Sequence, residues 1–415
     1  MEPKIRFKGY MFGWVSEAIG LYYNFKNGLN KSKEYFGFGT PIVNFTDVFN
    51  NRVLDYASLK GRVFVTKEEI ANYSVQKGDL FFTRTSETLE EIGYPSVMLS
   101  DSPQTVYSGF VLRGRAINND PLVDVFKSYV FFTTSFRKEM IRKSSMTTRA
   151  LTSGNRLKEM IFTYPKAEDE QFKIGNYFLT LDNKIQTTSK KLESLKKLKS
   201  ASLVTMFPQN GESTPKVRFK GFEGEWKETT LSECLDISYL QNSENKYDKN
   251  DVLSVSDDFG VMNQIELLGR SYAGKDVSSY SILQKGEIVY TKSPLKDKPF
   301  GIIKKNSYQT GIVSILYAVY HSKDNISADY IHYYFDPAWR LNAYMRPLVN
   351  KGAKNTMNIS DEMALMGSLI LPPSLAEQQA IATFFRSLDR KIALETARLE
   401  KLKQIKLACL DKMFV

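Results

Sequence analysis

Thr83-Arg84-Thr85-Ser86 and Thr291-Lys292-Ser293 are the places in this 415-residue chain where residue type and spacing point most directly to chemistry. Each follows a matched segment, Val75-Gln76-Lys77-Gly78-Asp79-Leu80-Phe81-Phe82 in one case and Leu283-Gln284-Lys285-Gly286-Glu287-Ile288-Val289-Tyr290 in the other. The pattern predicts a glycine turn feeding a β-strand whose far end presents a cation flanked by hydroxyls. Such an end suits a phosphate oxygen or a base edge. Arg84 and Lys292 are therefore candidate DNA contacts, and Thr83, Thr85, Thr291 and Ser293 are candidate phosphate donors. Two basic polar loops, Arg142 to Arg149 and Arg346 to Asn358, add Arg142, Lys143, Arg149, Lys351, Lys354 and Asn355 as side chains that could reach bases. The bland reading of every one of these is a solvated basic surface.

Other chemistries are poorly provided for. Cys234 and Cys409 stand far apart without a cysteine or histidine at ligand spacing, so neither a disulfide framework nor a zinc site can be built, and a reducing cytoplasm is expected. His321 and His332, the two histidines, read as structural or exposed. No Gly-x-x-x-x-Gly-Lys-Ser/Thr loop is present to hold ATP. The nearest text to the Asn/Asp-Pro-Pro-aromatic motif that holds a flipped base is Asp336-Pro337-Ala338-Trp339, with alanine in place of the second proline. Gly37-Phe38-Gly39 reads as a turn, and Asp257-Asp258 as an exposed turn before a metal site. No run approaches the roughly 18 apolar residues of a membrane span. The net charge of +11 favours an anionic partner, although a lysine-rich composition that keeps the protein in solution would give the same number.

The elements that must position these groups come in two copies. Residues 170–207 recur without a gap at 377–414: Glu170-Gln171 falls on Glu377-Gln378, Leu181-Asp182 on Leu388-Asp389, Lys184-Ile185 on Lys391-Ile392, and Met206-Phe207 on Met413-Phe414. Ile174, Phe178, Leu181, Ile185, Thr188, Leu192 and Leu195 step alternately by 4 and 3 residues, a heptad seam. Ile381, Phe385, Leu388, Ile392, Glu395, Leu399 and Leu402 repeat it. Two helices of roughly 57 Å each are predicted, and the simplest partner for either stripe is the other. The segments 3–14 and 215–226 also match, through Pro3, Lys4, Arg6, Phe7, Lys8, Gly9 and Trp14. The 208–214 stretch PQNGEST reads as the linker between them. Weaker matches join Tyr107-Ser108-Gly109 to Tyr308-Gln309-Thr310-Gly311, and Ser135-Phe136-Arg137 to Ala338-Trp339-Arg340.

The expected fold is α+β: a globular domain over 1–168, a helix and linker over 169–209, a second domain over 210–374 and a second helix over 375–415. A compact domain commonly has its termini close together, so the helices should run antiparallel, giving a pseudo-two-fold symmetric pair of domains joined by a coiled coil. One chain would then imitate a DNA-binding dimer whose reading units differ.

In the order of these parts, the sequence resembles the specificity subunit of Type I restriction-modification systems over its whole length. The residues that carry the resemblance are the Glu-Gln pairs following Tyr164-Pro165 and Leu371-Pro372-Pro373, the Leu-Asp and Lys-Ile pairs in the helices, and the two Lys-Gly-Asp/Glu strands. The resemblance implies a non-catalytic subunit with two target-recognition domains, each reading half of a bipartite, asymmetric double-stranded DNA sequence. It also implies that the helices space these domains and dock two adenine-N6 methyltransferase subunits, with restriction/translocase subunits completing the complex. S-adenosylmethionine, ATP and magnesium would belong to those partners, and no cofactor to this chain. The competing reading is a two-headed coiled-coil protein-interaction scaffold without DNA specificity. It accounts for the helices and leaves the basic ends of matching strands unexplained. Leu192 and Leu399 are expected as core positions without chemistry, so that Leu192→Asp should cost a few kcal/mol.

Overall fold

The computed structural model describes residues 2–209, 211–295, 297–351 and 357–415, without the side chains of 350, 351, 357 and 358. Two helices of 38 residues each, Glu168–Thr205 and Leu375–Lys412, occupy the duplicated stretches. Packing divides the chain into two units: Met1–Lys190 with Thr396–Val415, and Lys191–Glu395. Each unit therefore holds a stretch of both long helices.

Within the first unit the helices run antiparallel, since Tyr177 meets Cys409 (3.4 Å) and Asp182 meets Lys406 (2.5 Å). Within the second, Lys191 meets Glu395 (2.5 Å) and Lys199 meets Asp389 (2.8 Å), again antiparallel. The heptad residues face inward: Ile174, Phe178, Leu181, Leu192, Ile381, Phe385, Leu388 and Leu399 are buried, and Ile185, Leu195, Ile392 and Leu402 are partly buried. The two interruptions of the seam, Thr188 and Glu395, are buried too, and Lys191 offsets the charge of Glu395.

The duplicated residues hold each unit to its helices by matching contacts. Arg6 grips Glu170 with two hydrogen bonds (2.7 and 2.9 Å), and Arg218 grips Glu377 with two (2.6 and 2.8 Å). The adjoining glutamines caulk the helix start to the domain. The Gln171 amide donates to the carbonyls of Pro121 and Pro165 while its oxygen accepts from Val123, and the Gln378 oxygen accepts from Ser327. The Tyr129 hydroxyl donates to Asp182 and the Tyr333 hydroxyl to Asp389, each at 2.9 Å. Burial and then the adjacent carboxylate push both phenols far above their ordinary range. Phe414 packs on Trp14, Phe126 and Phe178 in the first unit, and Phe207 on Tyr330, Tyr334 and Phe385 in the second. The sequence identity of the helices is therefore explained by contacts to the domains as much as by the seam.

In the first unit a five-stranded sheet runs in the order Tyr23–Asn27, Val111–Ala116, Leu80–Thr83, Pro95–Met98, Val53–Leu54, with only the last pair parallel. The second unit repeats four of its positions as Leu235–Ile237, Ala318–Ser322, Ile288–Tyr290 and Ile303–Lys305. In each unit a strand from the opening pairs with the strand entering the long helix, Val15–Ala18 with Ile161–Tyr164 and Lys227–Thr230 with Ser368–Leu371.

Two of the weak sequence matches shift. The Val75 amide donates to Thr105, and Leu283 pairs with Gly311, so Thr105-Val106-Tyr107 corresponds to Gly311-Ile312-Val313 and Tyr107 is not the counterpart of Tyr308. Tyr129 and Tyr333 fix the register of the next helices, Thr134–Lys143 and Ala338–Met345, and in that register Arg340 stands where Phe136 does. Arg137 instead ties down the carbonyls of Glu90, Ile92 and Gly93, while buried Arg340 holds those of Leu203 and Tyr334. In both cases a one- or few-residue slip in short, diverged segments had preserved residue type while losing place.

Asp336, the acid of the incomplete base-holding motif, is locked in a charge network with Lys304 (2.9 Å) and Lys199 (3.1 Å). Burial alone would raise its carboxyl, but the two lysines outweigh burial and hold it well below the usual range. Asp257 is spoken for in the same way by Lys298 (2.6 Å) and Lys304 (3.1 Å). His332 lies against this network, and burial, with Lys304 and Lys199, holds it down at about 4, against the pull of Asp336 and Asp389. The unfolded chain would protonate this histidine near pH 6.5. Between those values the unfolded state binds the extra proton, so stability falls as pH drops, by at most about 1.4 kcal/mol per pH unit for this group. In denaturant titrations the parent should lose more stability than His332→Gln between pH 7 and pH 5, and equal losses would contradict this assignment.

Candidate nucleic-acid interface

The strands that were expected to carry cations share one construction. Gly78 and Gly286 take left-handed backbones (φ +86° and +100°), which a side chain would strain. The carboxylates of Asp79 and Glu287 close the turns by accepting from the amides of Gln76 (2.8 Å) and Gln284 (2.6 Å). The strands that follow, Leu80–Thr83 and Ile288–Tyr290, are buried throughout. Thr83 and Thr291, expected to offer hydroxyls to phosphate, are instead buried, and accept the amides of Tyr94 (2.8 Å) and Ile302 (3.1 Å). They pin the strand ends in place, and the residues after them leave the sheet.

In the first unit Arg84 is partly exposed, its guanidinium 3.4 Å from the Gly109 carbonyl. Its main chain pairs with Phe110 on one side and Thr152 on the other. Thr85–Ser86 then joins Ala150–Leu151, which joins Ser145–Met146, as a three-stranded sheet. This sheet unites two candidate groups that lie far apart in sequence, the end of the Arg84 strand and the basic loop from Arg142 to Arg149. Arg142 is largely exposed beside Glu139, and Lys143 is paired with Glu159 at 3.0 Å. Arg149 lies 3.2 Å from Glu87. Between them opens a cleft of about 380 Å³ walled by Phe45, Phe49, Phe110, Thr85, Glu87 and Arg149.

In the second unit Lys292 occupies the equivalent strand end with a different backbone, left-handed at φ +48°, and its ammonium is paired with Asp361. The Ser293 hydroxyl turns back to donate to the Thr291 carbonyl (3.2 Å). The second basic loop forms the strand pair Asn350–Lys351 and Met357–Asn358, and Lys354 and Asn355 lie outside the described residues, as does the side chain of Lys351. A cleft of about 600 Å³ is lined here by Ser256, Asp257, Gln264, Tyr272, Leu295 and Tyr317. The frames are alike and the linings differ. Sequence reasoning missed Glu87, Phe45, Phe49 and Phe110, because nothing in their spacing marks them until the strands are paired.

Residues 223–404 match the family described as the Type I restriction modification DNA specificity domain. The matched stretch begins in the second unit and ends within the second long helix, Leu375–Lys412. A curated relative, the specificity subunit of the Type I restriction enzyme MjaIX from Methanocaldococcus jannaschii, is 28% identical over 171 residues, covering 40% of this chain and 37% of that one. The aligned region is thus little more than a third of that relative's length. The crystal structure of the Type I restriction-modification S subunit from M. genitalium superposes with a TM-score of 0.64 at 15% identity, covering 100% of this chain and 99% of that one. At that identity the likeness is one of fold. No helix among the described residues is long and apolar enough to cross a membrane.

Proposed function

We propose that this chain is the DNA specificity subunit of a Type I restriction-modification complex, a non-catalytic member whose two units each read one half of a split, asymmetric target. The observation that carries this reading is one repeated scaffold, with Arg84 and Lys292 at equivalent strand ends, whose two units hold differently lined clefts. A matching specificity domain over 223–404 supports it. The long helices would set the gap between half-sites and dock adenine-N6 methyltransferase subunits, with restriction/translocase subunits joining the assembly in the cytoplasm. S-adenosylmethionine, ATP and magnesium would act on those partners. Arg84, Lys292, Thr85, Ser293, Arg142, Lys143, Arg149, Lys351, Lys354 and Asn355 stay as the proposed DNA contacts, while buried Thr83 and Thr291 would act only by placing Arg84 and Lys292.

Binding that rests on phosphate contacts weakens as salt rises, through counterion release. Arg84→Ala is expected to lower the affinity of the methyltransferase complex for its target duplex and to reduce the salt slope by about one unit. Filter binding at several salt concentrations measures both, and unchanged values would remove Arg84 from the interface. A scaffold without DNA specificity would bind its partners with no such dependence on DNA.

A further inference from the structure

Arg149 and Glu87 form an ion pair at the mouth of the first unit's cleft, 3.2 Å apart, with side chains 58% and 77% exposed. Most exposed pairs of this kind contribute little to stability. This one stands where a stability role is least needed, at the tip of the three-stranded sheet formed by Thr85–Ser86, Ala150–Leu151 and Ser145–Met146. Its hairpin, Ser145–Met146 with Ala150–Leu151, is a two-stranded β-ribbon, an element the major groove admits. A lone arginine there would suit a phosphate, but the carboxylate beside it would repel one. What the pair offers is a fork of donors next to an acceptor. That is the complement of a G·C pair seen from the major groove, where guanine shows two acceptors, N7 and O6, and cytosine shows the N4 donor.

The surroundings favour a fixed reading head. Phe45 stacks on Phe49 (5.4 Å between centroids) and Phe49 on Tyr94 (4.9 Å), while the guanidiniums of Arg52 and Arg137 cap the Tyr94 ring from 5.2 and 4.7 Å. Arg52 and Arg137 are themselves anchored to main-chain carbonyls, including those of Val48 and Gly93. The cleft wall is therefore rigid, and Phe110, 56% exposed, is left as an apolar surface beside the ion pair. Resting on the reading of this chain as a specificity subunit, we infer that Arg149 and Glu87 together read one G·C pair in the half-site of the first unit, with Phe110 against the neighbouring base.

The test uses the full chain assembled with its methyltransferase partner. N6-methyladenine would be mapped in DNA modified by the parent, by Arg149→Ala and by Glu87→Ala. The expected result is a parent motif with a G·C pair in one half, which becomes degenerate at that position in both variants while the other half and the gap stay fixed. In binding assays, replacing that guanine by 7-deazaguanine should weaken the parent roughly five- to a hundredfold and leave Arg149→Ala indifferent. An unchanged motif in both variants would overturn the assignment. So would a parent motif without G·C in either half. If both variants lose all methylation, the 7-deazaguanine series on the parent decides, and uniform binding across it would reject the inference. A parent with no split motif at all would instead remove the proposed function on which the inference rests.

Discussion

Arg218→Ala will destabilise the second unit by about 3 to 5 kcal/mol, the cost of leaving a buried carboxylate without its partner. Glu377 is 1% exposed, and both its oxygens are taken by the forked donors of Arg218, whose remaining contacts go to the carbonyls of Glu223 and Gly224. Removing the arginine withdraws two charge-assisted hydrogen bonds and lets the 215–226 segment come away from the helix start. Lysine restores the charge but not the bidentate geometry, so Arg218→Lys should recover only part of the loss. Denaturant midpoints of the parent and both variants at pH 7 measure the loss and its partial recovery. A midpoint for Arg218→Ala equal to the parent's at pH 7 would show that this clamp does not hold the segment. Arg6→Ala should act in the same way on the first unit through Glu170, which is equally buried.

Phe207→Ala is expected to cost a comparable amount, about 3 to 5 kcal/mol, by a different route. Its ring is fully buried where the first long helix ends, with Tyr330, Tyr334 and Phe385 at 5.5, 5.8 and 5.9 Å between centroids. The Arg340 guanidinium lies 4.7 Å from it. Alanine leaves a cavity that rigid aromatic neighbours cannot collapse into, and it strips the arginine of its cation-π face. Phe207→Leu should lose noticeably less, since most of the volume is kept. Equal midpoints for the alanine and leucine variants would show that ring contacts are not what closes this core. Leu192→Asp, which buries a charge in the seam at a position 8% exposed, should likewise cost a few kcal/mol.

How much of this was legible beforehand depended on whether a residue's role is local or assembled. The 4 and 3 spacing from Ile174 to Leu195 is a property of one helix, so it specified the inward face directly. The Glu-Gln pairs were visible as identities, but their work as clamps and plugs needs Arg6, Arg218, Pro121 and Ser327, which the fold brings from far along the chain. The Gly78 and Gly286 turns were readable because a positive φ makes a lasting demand on residue type. Thr83 and Thr291 looked like phosphate donors because a hydroxyl beside a cation reads the same whether it faces solvent or core, and only the Tyr94 and Ile302 amides settle the difference. Arg149 could be nominated from its loop, but Glu87 could not, since their meeting depends on one strand pairing, Thr85–Ser86 with Ala150–Leu151. Where the two units diverge, as at Arg137 and Arg340, matching letters stand one residue out of register and make different contacts.

DNA specificity is tested most directly by a genome-wide map of N6-methyladenine in cells that express this chain with its methyltransferase partner, set against cells lacking only this chain. A split, asymmetric motif with a fixed unspecified gap is expected, and it should disappear when the chain is removed. Identical methylation in both, with the partner present and active, would contradict it and leave the two-headed scaffold as the better description of this molecule.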